Sequence, residues 1–298
     1  MVVSDSMGAK LRELWAEGCV LLPGVYDPIG ALLAQDAGAS ALYLSGAGVA
    51  NGAFGLPDIG LVDRGEMAEQ ARRVVRAAGL PVLSDADTGY GEPLGVARTV
   101  RLFEEARLAG LHLEDQRNPK RCGHLEGKEL VPPGEMAAKI RAAAEARRDP
   151  SFVIVARTDA RGPEGLEAAI GRARVYLDAG ADAIFPEGLR SEEEFAEFRR
   201  AVPGPLVANM TEFGVTPLIP FRRFRELGYQ AVIYPMTAFR VMLRCVGEAY
   251  RTLLSEGTQA PLLDGMVGRG ALYRLLGYDQ AVRSDAEWAE EARKADIG

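Results

Sequence analysis

The segment at residues 118–129, NPKRCGHLEGKE, brings together side chains that can transfer protons and bind charged groups. The chain contains two histidines and three cysteines, and this segment holds one of each, Cys122 and His124, after Lys120 and Arg121. Neighbouring cations stabilise a thiolate and lower the pKa of a thiol. Cys122 is therefore predicted to donate or accept a proton near neutral pH, assisted by these three neighbours. The alternative is a solvated basic loop with an incidental cysteine.

Two aspartates, Asp85 and Asp87, are separated by one residue in the segment SDADTGYGEP. Alternate residues of a strand point to the same side, so this spacing predicts two carboxylates aimed at one place. Such carboxylates repel each other unless a cation lies between them, and oxygen ligands favour Mg²⁺ or Mn²⁺. Glu114, at the end of the next apolar run, could join directly or through water. The alternative is a buried salt bridge with Arg157.

Three further arginines could bind anions, although each alone is more typical of a surface or an ion pair. Arg157 ends the fifth apolar run, Arg240 follows the eighth, and Arg269 lies in the segment MVGRGALY. Guanidinium groups bind carboxylates in a two-pronged fashion. A metal, several arginines and an acid/base cysteine together predict chemistry on a 2-hydroxy-polycarboxylate, in which an enolate must be stabilised and then protonated.

Eight short apolar runs must position these residues, and each is separated from the next by a charged segment that is typical of a helix. Nearly continuous apolar runs predict parallel strands that helices cover on both faces. Ala-Gly pairs at 37–38, 78–79, 109–110 and 179–180 are predicted to end helices. The count of eight favours an α/β fold of the (β/α)8 TIM type over a doubly wound sheet. The runs lie at residues 19–27, 41–48, 81–87, 110–116, 152–160, 181–188, 205–212 and 230–236.

Polar residues gather at the carboxyl ends of these runs, where (β/α)8 enzymes assemble their active sites. The second and fourth units contain extra loop, and the 118–130 loop after the fourth run is predicted to be a lid. The chain is expected to form a single barrel domain over residues 1–298, with 240–298 as a C-terminal helical extension.

Composition excludes several other classes of protein. The 298 residues include 35 basic and 42 acidic side chains, so the net charge is 35 − 42 = −7, which argues against nucleic acid or an anionic membrane as partner. No apolar run approaches the roughly 18 residues of a membrane span. The start of the chain lacks the apolar core of a secretory signal, and three widely separated cysteines predict no disulfide framework. A cytoplasmic location is expected.

Several motifs together resemble the isocitrate lyase and phosphoenolpyruvate mutase superfamily. They include KRCGH at 120–124, DADTGYG at 85–91, ARTDA at 156–160 and YPMTAFR at 234–240, and they occur in the family's order over residues 10–285. Within the superfamily the chain is most similar to the 2-methylisocitrate lyase branch. The cysteine motif is typical of the lyases. Isocitrate lyases usually carry lysine at position 121 and are longer.

The resemblance implies a role for each candidate residue. Asp85 and Asp87 would hold Mg²⁺, Asp87 more directly, with Glu114 in support. Cys122 would be the proton donor, assisted by Lys120, Arg121 and His124. The substrate-binding residues that it implies are Ser45, Gly46, Ala47, Gly123, Arg157, Glu187, Asn209, Thr211, Arg240 and Arg269, with Tyr43 and Asp58 in support. At position 47 the family often has glycine, so the methyl group of Ala47 would tighten the pocket slightly.

The function implied is a Mg²⁺-dependent lyase, with Mn²⁺ possible, that cleaves the tricarboxylate 2-methylisocitrate to pyruvate and succinate in the methylcitrate cycle of propionate catabolism. The family also implies a homotetramer, a dimer of dimers with swapped C-terminal helices. Isocitrate is the first alternative substrate, because one methyl group changes binding by only about 1–3 kcal/mol. Phosphonopyruvate or other 2-oxo-acid chemistry and a catalytically silent scaffold are the remaining alternatives.

Overall fold

Eight parallel strands form the centre of the structure, a computed structural model that describes residues 6–121 and 123–295. Each strand lies inside one of the predicted apolar runs. Hydrogen bonding places them in the order β6-β5-β4-β3-β2-β1-β8-β7, and a single parallel bridge between Ile184 and Leu206 joins the two outer strands. The predicted (β/α)8 fold is therefore confirmed. The strands are Val20–Val25 (β1), Leu42–Leu44 (β2), Val82–Asp85 (β3), Gly110–Glu114 (β4), Val153–Thr158 (β5), Ala183–Pro186 (β6), Val207–Asn209 (β7) and Ala231–Tyr234 (β8).

Helices alternate with the strands, and their apolar faces pack on the outside of the barrel to form the larger of two hydrophobic clusters. Within the described residues, no helix is both long and apolar enough to cross a membrane. A π-helical turn at Val49–Ala53 follows α3, and a 3-10 turn covers Ala260–Gly265. The helices are Met7–Glu17 (α1), Pro28–Asp36 (α2), Gly46–Gly48 (α3), Arg64–Ala78 (α4), Pro93–Glu105 (α5), Pro133–Ala146 (α6), Leu166–Asp178 (α7), Glu192–Ala201 (α8), Phe221–Leu227 (α9), Thr237–Glu256 (α10), Arg269–Leu275 (α11) and Tyr278–Ala295 (α12).

The local sequence accounts for where several helices begin and end. Asp63 and Glu66 form a reciprocal capping box at the start of α4, and Gly79 ends that helix in the left-handed conformation at φ 63°. Gly38 and Gly180 follow α2 and α7 with φ of 93° and 105°. Three of the four Ala-Gly pairs thus lie at helix ends as predicted.

The fourth pair, Ala109-Gly110, was assigned wrongly. Helix α5 already ends at Glu105, and Gly110 is the first residue of β4. A Cβ atom at Gly110 would lie 2.4 Å from the carbonyl oxygen of Val153, so this glycine is required by the close approach of β5.

Helix α1 closes the amino-terminal end of the barrel. Its Met7, Leu11 and Trp15 are buried in the second hydrophobic cluster together with interior residues of the strands. A Cβ atom at Gly8 would lie 2.5 Å from the carbonyl oxygen of Ser151, which shows how closely the helix lies against the start of β5. With one end filled by apolar side chains, polar chemistry is confined to the other end.

The chain divides into two compact units, Met1–Arg240 and Val241–Gly298. The first contains the barrel. The second contains most of α10, the 3-10 turn, α11 and α12, and many of its large apolar side chains are exposed, including Leu254 at 88% and Trp288 at 68%.

Candidate active site

A cavity of about 200 Å³ opens at the carboxyl ends of the strands. Residues in or directly after seven of the eight strands contribute to its wall, as expected for the active face of a (β/α)8 barrel. The volume suits a small metabolite rather than a large cofactor. The lining residues are Tyr43, Ser45, Ala47, Asn51, Asp58, Asp85, Glu114, Lys120, Arg121, Gly123, His124, Arg157, Phe185, Glu187, Asn209, Thr211, Ile233, Pro235, Met236 and Arg240.

The turn after β2 brings Gly46 close to the carboxylate of Asp85. Ser45 is the N-cap of α3 and accepts a hydrogen bond from the backbone N–H of Gly48 at 3.0 Å. A Cβ atom at Gly46 would lie 2.6 Å from Asp85 Oδ2, so only glycine fits there. Ala47 lines the cavity directly. All three predicted residues of this turn therefore lie at or beside the cavity.

Asp85 and Asp87 are both buried, but only Asp85 belongs to a strand. Asp87 lies beyond the end of β3 with a left-handed φ of 47°, so the argument from alternating strand residues does not apply to it. Its backbone N–H donates to Asp85 Oδ1 at 2.9 Å. Asp87 does not line the cavity; Lys120 Nζ lies 2.6 Å from its Oδ1 and 2.6 Å from Asp58 Oδ1.

Burial and charge act against each other on these acids. Burial raises the pKa of Asp87 to about 6, although Lys120 opposes the shift. Burial also opposes ionisation of Asp85, but His112, Lys120 and Arg157 lower its pKa. Burial lowers the pKa of His112 to about 4, so its ring is neutral near pH 7 and the lysine and arginine supply the positive charge.

Glu114 lies at the end of β4, on the same side of the site. Burial raises its pKa well above the usual value, against the effect of Arg157 and Lys120. Its Oε1 is buried and has no hydrogen-bond partner among the described residues. A buried, unpaired carboxylate oxygen is costly, and it marks a place where a cation or a hydrogen-bond donor would stabilise the site.

No three histidine, cysteine, aspartate or glutamate side chains of the described residues are arranged as a metal-binding group. Lys120 lies between the carboxylates of Asp58 and Asp87. The donor set nevertheless fits Mg²⁺, which binds through one or two carboxylates and keeps several waters. Asp85 and Glu114 line the cavity and offer those carboxylates.

Arg157, at the end of β5, is surrounded by acids. Its Nε donates to Asp159 Oδ2 at 2.9 Å and its Nη2 to Asp159 Oδ1 at 3.1 Å. Carboxylate oxygens of Glu114 and Glu187 lie 3.4 Å from the guanidinium nitrogens. The group packs 5.1 Å from the centre of the Phe185 ring and lines the cavity. Arg157 thus lines the cavity while it is paired with protein carboxylates, and its role as an anion-binding arginine stays a prediction.

The 118–130 loop contributes four residues to the cavity wall. Cys122 lies outside the described residues, but Arg121 and Gly123 on either side of it line the cavity, as do Lys120 and His124. The side chains of Lys120 and His124 are 4% and 7% exposed. The side chains of Lys120 and His124 are therefore not part of a solvated loop, whereas Arg121 is exposed.

His124 connects this loop to two other parts of the barrel. Its Nε2 lies 3.2 Å from Glu187 Oε1, and its Nδ1 accepts a hydrogen bond from the backbone N–H of Val215 at 3.2 Å. Burial opposes ionisation of Glu187, but Arg157 and His124 lower its pKa well below the usual value. Glu187 therefore remains a carboxylate that contacts both Arg157 and His124.

The seventh and eighth strands complete the wall. Asn209 Nδ2 donates to Glu187 Oε2 at 3.0 Å, and Thr211 lies two residues further along. Arg240 Nε lies 3.5 Å from Glu212 Oε2, and its guanidinium lies 5.3 Å from the centre of the Phe213 ring.

Arg269 is the one predicted binding residue that lies in the second unit, at the start of α11, where it is exposed. Two residues absent from the predicted set, Lys128 and Asp159, form an ion pair of 3.1 Å beside Arg157. They are 31 residues apart in the chain, so no local pattern could have paired them.

Known proteins match this chain over most of its length. A family model described as phosphoenolpyruvate phosphomutase matches residues 11–254. A 2-methylisocitrate lyase of Aeropyrum pernix is 49% identical over 288 residues, which are 96% of this chain and 92% of that protein. The crystal structure of a 2,3-dimethylmalate lyase matches with a TM-score of 0.89 at 36% identity over 95% of each chain. A phosphonopyruvate hydrolase in complex with oxalate and Mg²⁺ matches with a TM-score of 0.86 at 26% identity, over 95% of this chain and 99% of that one.

These matches extend over the barrel and all the strands that carry the site. The resemblance predicted from the motifs is thereby confirmed at the level of the family. The chain belongs to the phosphoenolpyruvate phosphomutase family.

Proposed function

We propose that the chain is a carbon–carbon lyase that cleaves 2-methylisocitrate to pyruvate and succinate. The observation that carries the proposal is that both neighbours of Cys122 line the same cavity as Asp85 and Arg157. The proposal thus places an acid, the Arg157 guanidinium and a carboxylate pair suited to a cation around one small molecule. The 49% identity to a 2-methylisocitrate lyase supports this substrate.

In the proposed reaction, Arg157 binds a carboxylate of the substrate and a general base removes the proton of the C2 hydroxyl. The C2–C3 bond breaks, its electron pair passes to the carbon that becomes C2 of succinate, and pyruvate is formed. The turn at Ser45, Gly46 and Ala47 faces the pyruvate portion. The succinate fragment remains as an enediolate, and cationic and amide donors stabilise its charge. Cys122 then donates the proton that completes succinate.

The test is to measure pyruvate and glyoxylate release in parallel from 2-methylisocitrate and isocitrate, with Mg²⁺ and with a chelator. We expect Mg²⁺-dependent pyruvate release at a much higher kcat/KM than glyoxylate release. A larger kcat/KM for glyoxylate would identify an isocitrate lyase instead. No turnover of either compound would contradict the proposal, and phosphonopyruvate and oxaloacetate would then be tested.

We also propose Mg²⁺ as the cofactor, held by Asp85 with Asp87 and Glu114 in support. When bound, Mg²⁺ supplies electrophilic stabilisation of negative charge on the oxygens of the 2-oxo-acid portion. The unpaired Glu114 Oε1 and the crowding of buried acids support a cation here. Mn²⁺ has similar ligand preferences and is an alternative.

Mg²⁺ is expected to raise the melting temperature of the protein without substrate. At a concentration about 100 times Kd, binding to the folded state alone adds about 2.7 kcal/mol. The Asp85→Asn variant should lose this shift, because one carboxylate of the site is gone. Asp36→Asn, which changes an exposed aspartate of α2, is the control. Differential scanning calorimetry measures the effect, and an equal shift in Asp85→Asn would contradict the assignment.

A single methyl group at position 46 is expected to disable the site. In Gly46→Ala the new Cβ would lie 2.6 Å from Asp85 Oδ2, so the carboxylate must move. Displacement of a reacting group by about 1 Å costs about 10²-fold in rate. Gly171→Ala is the matched control, since a Cβ there meets no atom within 4 Å. Steady-state pyruvate release compares the two, and equal kcat/KM values would contradict the prediction.

We propose that the protein is a homotetramer, a dimer of dimers in which C-terminal helices pack on a partner. Two separate surfaces support this. The second unit exposes Leu243, Tyr250 and Leu254, and the barrel has a groove of about 610 Å³ lined by Leu21 and Phe221, with Leu21 40% exposed. Apolar patches of this kind mark protein interfaces.

Light scattering is expected to give a mass four times that of one chain. The Leu254→Glu variant should shift the mass towards smaller species, because it places a charge on the proposed interface. Leu94→Glu is a matched control, since both leucines are 88% exposed and Leu94 lies on α5 of the barrel. A monomeric native protein, or equal dissociation by both variants, would contradict the proposal.

A cytoplasmic location completes the proposed function. The three cysteines are far apart in the sequence, and Cys19 and Cys245 are free thiols. Free thiols persist in a reducing compartment, which is also where metabolic tricarboxylates would be cleaved.

A further inference from the structure

One buried carboxylate, that of Asp159, is shared by two cations from different parts of the chain. Arg157 Nε and Nη2 donate to its two oxygens at 2.9 and 3.1 Å. Lys128 Nζ donates to Oδ1 at 3.1 Å. The Asp159 side chain is 0% exposed, so both contacts act in a medium where they are strong.

Lys128 fastens the 118–130 loop to the barrel. Its Nζ also donates a hydrogen bond to the carbonyl oxygen of Gly123, and its side chain is only 4% exposed. A buried ammonium group is stable only when it is paired. Gly123 itself lies close to the barrel, since a Cβ there would be 2.5 Å from Arg157 Nη2 and 2.5 Å from Glu187 Cγ.

The backbone of Asp159 is in turn held by the side chain of Asp115, the residue after β4. The backbone N–H of Asp159 donates a hydrogen bond to Asp115 Oδ1 at 2.9 Å. The other oxygen of Asp115 accepts from the Thr158 and Tyr176 hydroxyls at 2.8 and 2.7 Å, and Arg172 Nη1 lies 3.3 Å away. This network fixes the position of Asp159 independently of the loop.

We propose that Asp159 is a positioning residue that holds the Arg157 guanidinium in its binding orientation and, through Lys128, holds the 118–130 loop against the cavity. The role of Asp159 in turnover rests on the proposed function. Its structural part, the attachment of the loop through one carboxylate, stands without it.

Substitution of Lys128 and substitution of Asp159 should have different effects, although the two residues form one ion pair. Without Lys128, Asp159 still pairs with Arg157, so only the loop is released. Without the charge of Asp159, Arg157 loses its fork and Lys128 is left buried beside another cation. Breaking one side of a buried pair is far more damaging than its net contribution suggests.

Hydrogen exchange tests the structural part without substrate. Mass spectrometry is used to follow peptides that cover residues 123–130 in the full-length protein. We expect Lys128→Met and Asp159→Asn each to raise amide exchange there about tenfold or more. Lys128→Arg should restore most of the protection. Lys294→Met is the control, because Lys294 pairs with Glu290 on an exposed helix surface. Exchange in Lys128→Met equal to that of the native protein would overturn the proposal.

The double variant and the kinetics complete the test. Because both substitutions break the same contact, the double variant should exchange no faster than the faster single variant, and additive effects would overturn the link. With 2-methylisocitrate, Lys128→Met should lower kcat with KM changed less than about threefold, whereas Asp159→Asn should also raise KM. Unchanged kcat in Lys128→Met would overturn the role in turnover. Absence of turnover in the native protein would reject the proposed function, while the exchange result would still decide the attachment.

Discussion

Replacing Arg157 with lysine should lower kcat/KM for pyruvate release by about 10²–10³-fold, the loss that follows removal of one preorganised electrostatic donor. Lysine keeps the positive charge but cannot form the planar fork that contacts both oxygens of Asp159. It also loses the flat packing on Phe185. The substrate carboxylate would then meet a mobile point charge, so KM should rise and kcat should fall together.

Arg161→Lys is the matched control for this experiment. Arg161 also forms a fork, with Nε and Nη2 at 2.8 and 2.6 Å from the two oxygens of Glu194, but it does not line the cavity. We expect its kcat/KM to stay within about twofold of the native value. A loss in Arg157→Lys no greater than in Arg161→Lys would show that Arg157 has no part in binding the substrate. Circular dichroism checks that both variants are folded.

Replacing Cys122 with serine should lower kcat by about 10²–10⁴-fold, the range expected for loss of a general acid. A serine hydroxyl is nearly the size of a thiol but is a far weaker acid, so protonation of the enediolate should become rate-limiting. KM should change little, because Arg157 and the carboxylate pair remain. A rapid-quench burst of pyruvate ahead of steady-state turnover would show that cleavage outpaces protonation.

The other two cysteines provide controls that separate this role from a general effect of losing a thiol. Burial raises the pKa of Cys19 to about 11, against the effect of Arg225, and that thiol lies in the groove outside the barrel. Cys245 is exposed in the second unit. Cys19→Ser and Cys245→Ser should both keep native kcat. Turnover of Cys122→Ser within about threefold of native would contradict the proposed acid, whatever the fold.

The barrel could be predicted from the sequence because strands that are buried on both faces appear as short apolar runs. Each strand begins with apolar residues and is buried throughout or nearly so, and charged helices separate the strands, so eight repeats could be recognised without any contact information. The errors arose where a backbone contact overrides a local pattern. Gly110 looks like a helix end, but it is glycine because Val153 of β5 approaches it closely.

Part of the site could also be predicted, because the apolar runs show where the strands end. Residues such as Asp85, Glu114 and Arg157 follow apolar runs directly, so their place at the active face could be inferred. Asp87 was placed on a strand that ends two residues earlier, because a left-handed turn is not visible in residue types.

Pairings between distant residues could not be inferred. Lys128 and Asp159 meet only because the 118–130 loop returns to the barrel beside β5, and Asp115 reaches Tyr176 across 61 residues. Chain separation of this size leaves no periodic signal, so the network that supports Arg157 could be recognised only in three dimensions.

The strands of the barrel are not joined equally, and the junction between β6 and β7 has the fewest paired residues. Four residue pairs join β5 to β6, whereas a single bridge, Ile184 to Leu206, joins β6 to β7. The hydrogen bond from Asn209 to Glu187 crosses this junction at 3.0 Å. Two residues proposed to contact substrate therefore also hold the ring closed at its weakest join. The same side-chain atoms of Asn209 and Glu187 serve substrate binding and barrel closure. A substitution at either residue that changes substrate specificity therefore also changes how readily β6 and β7 separate.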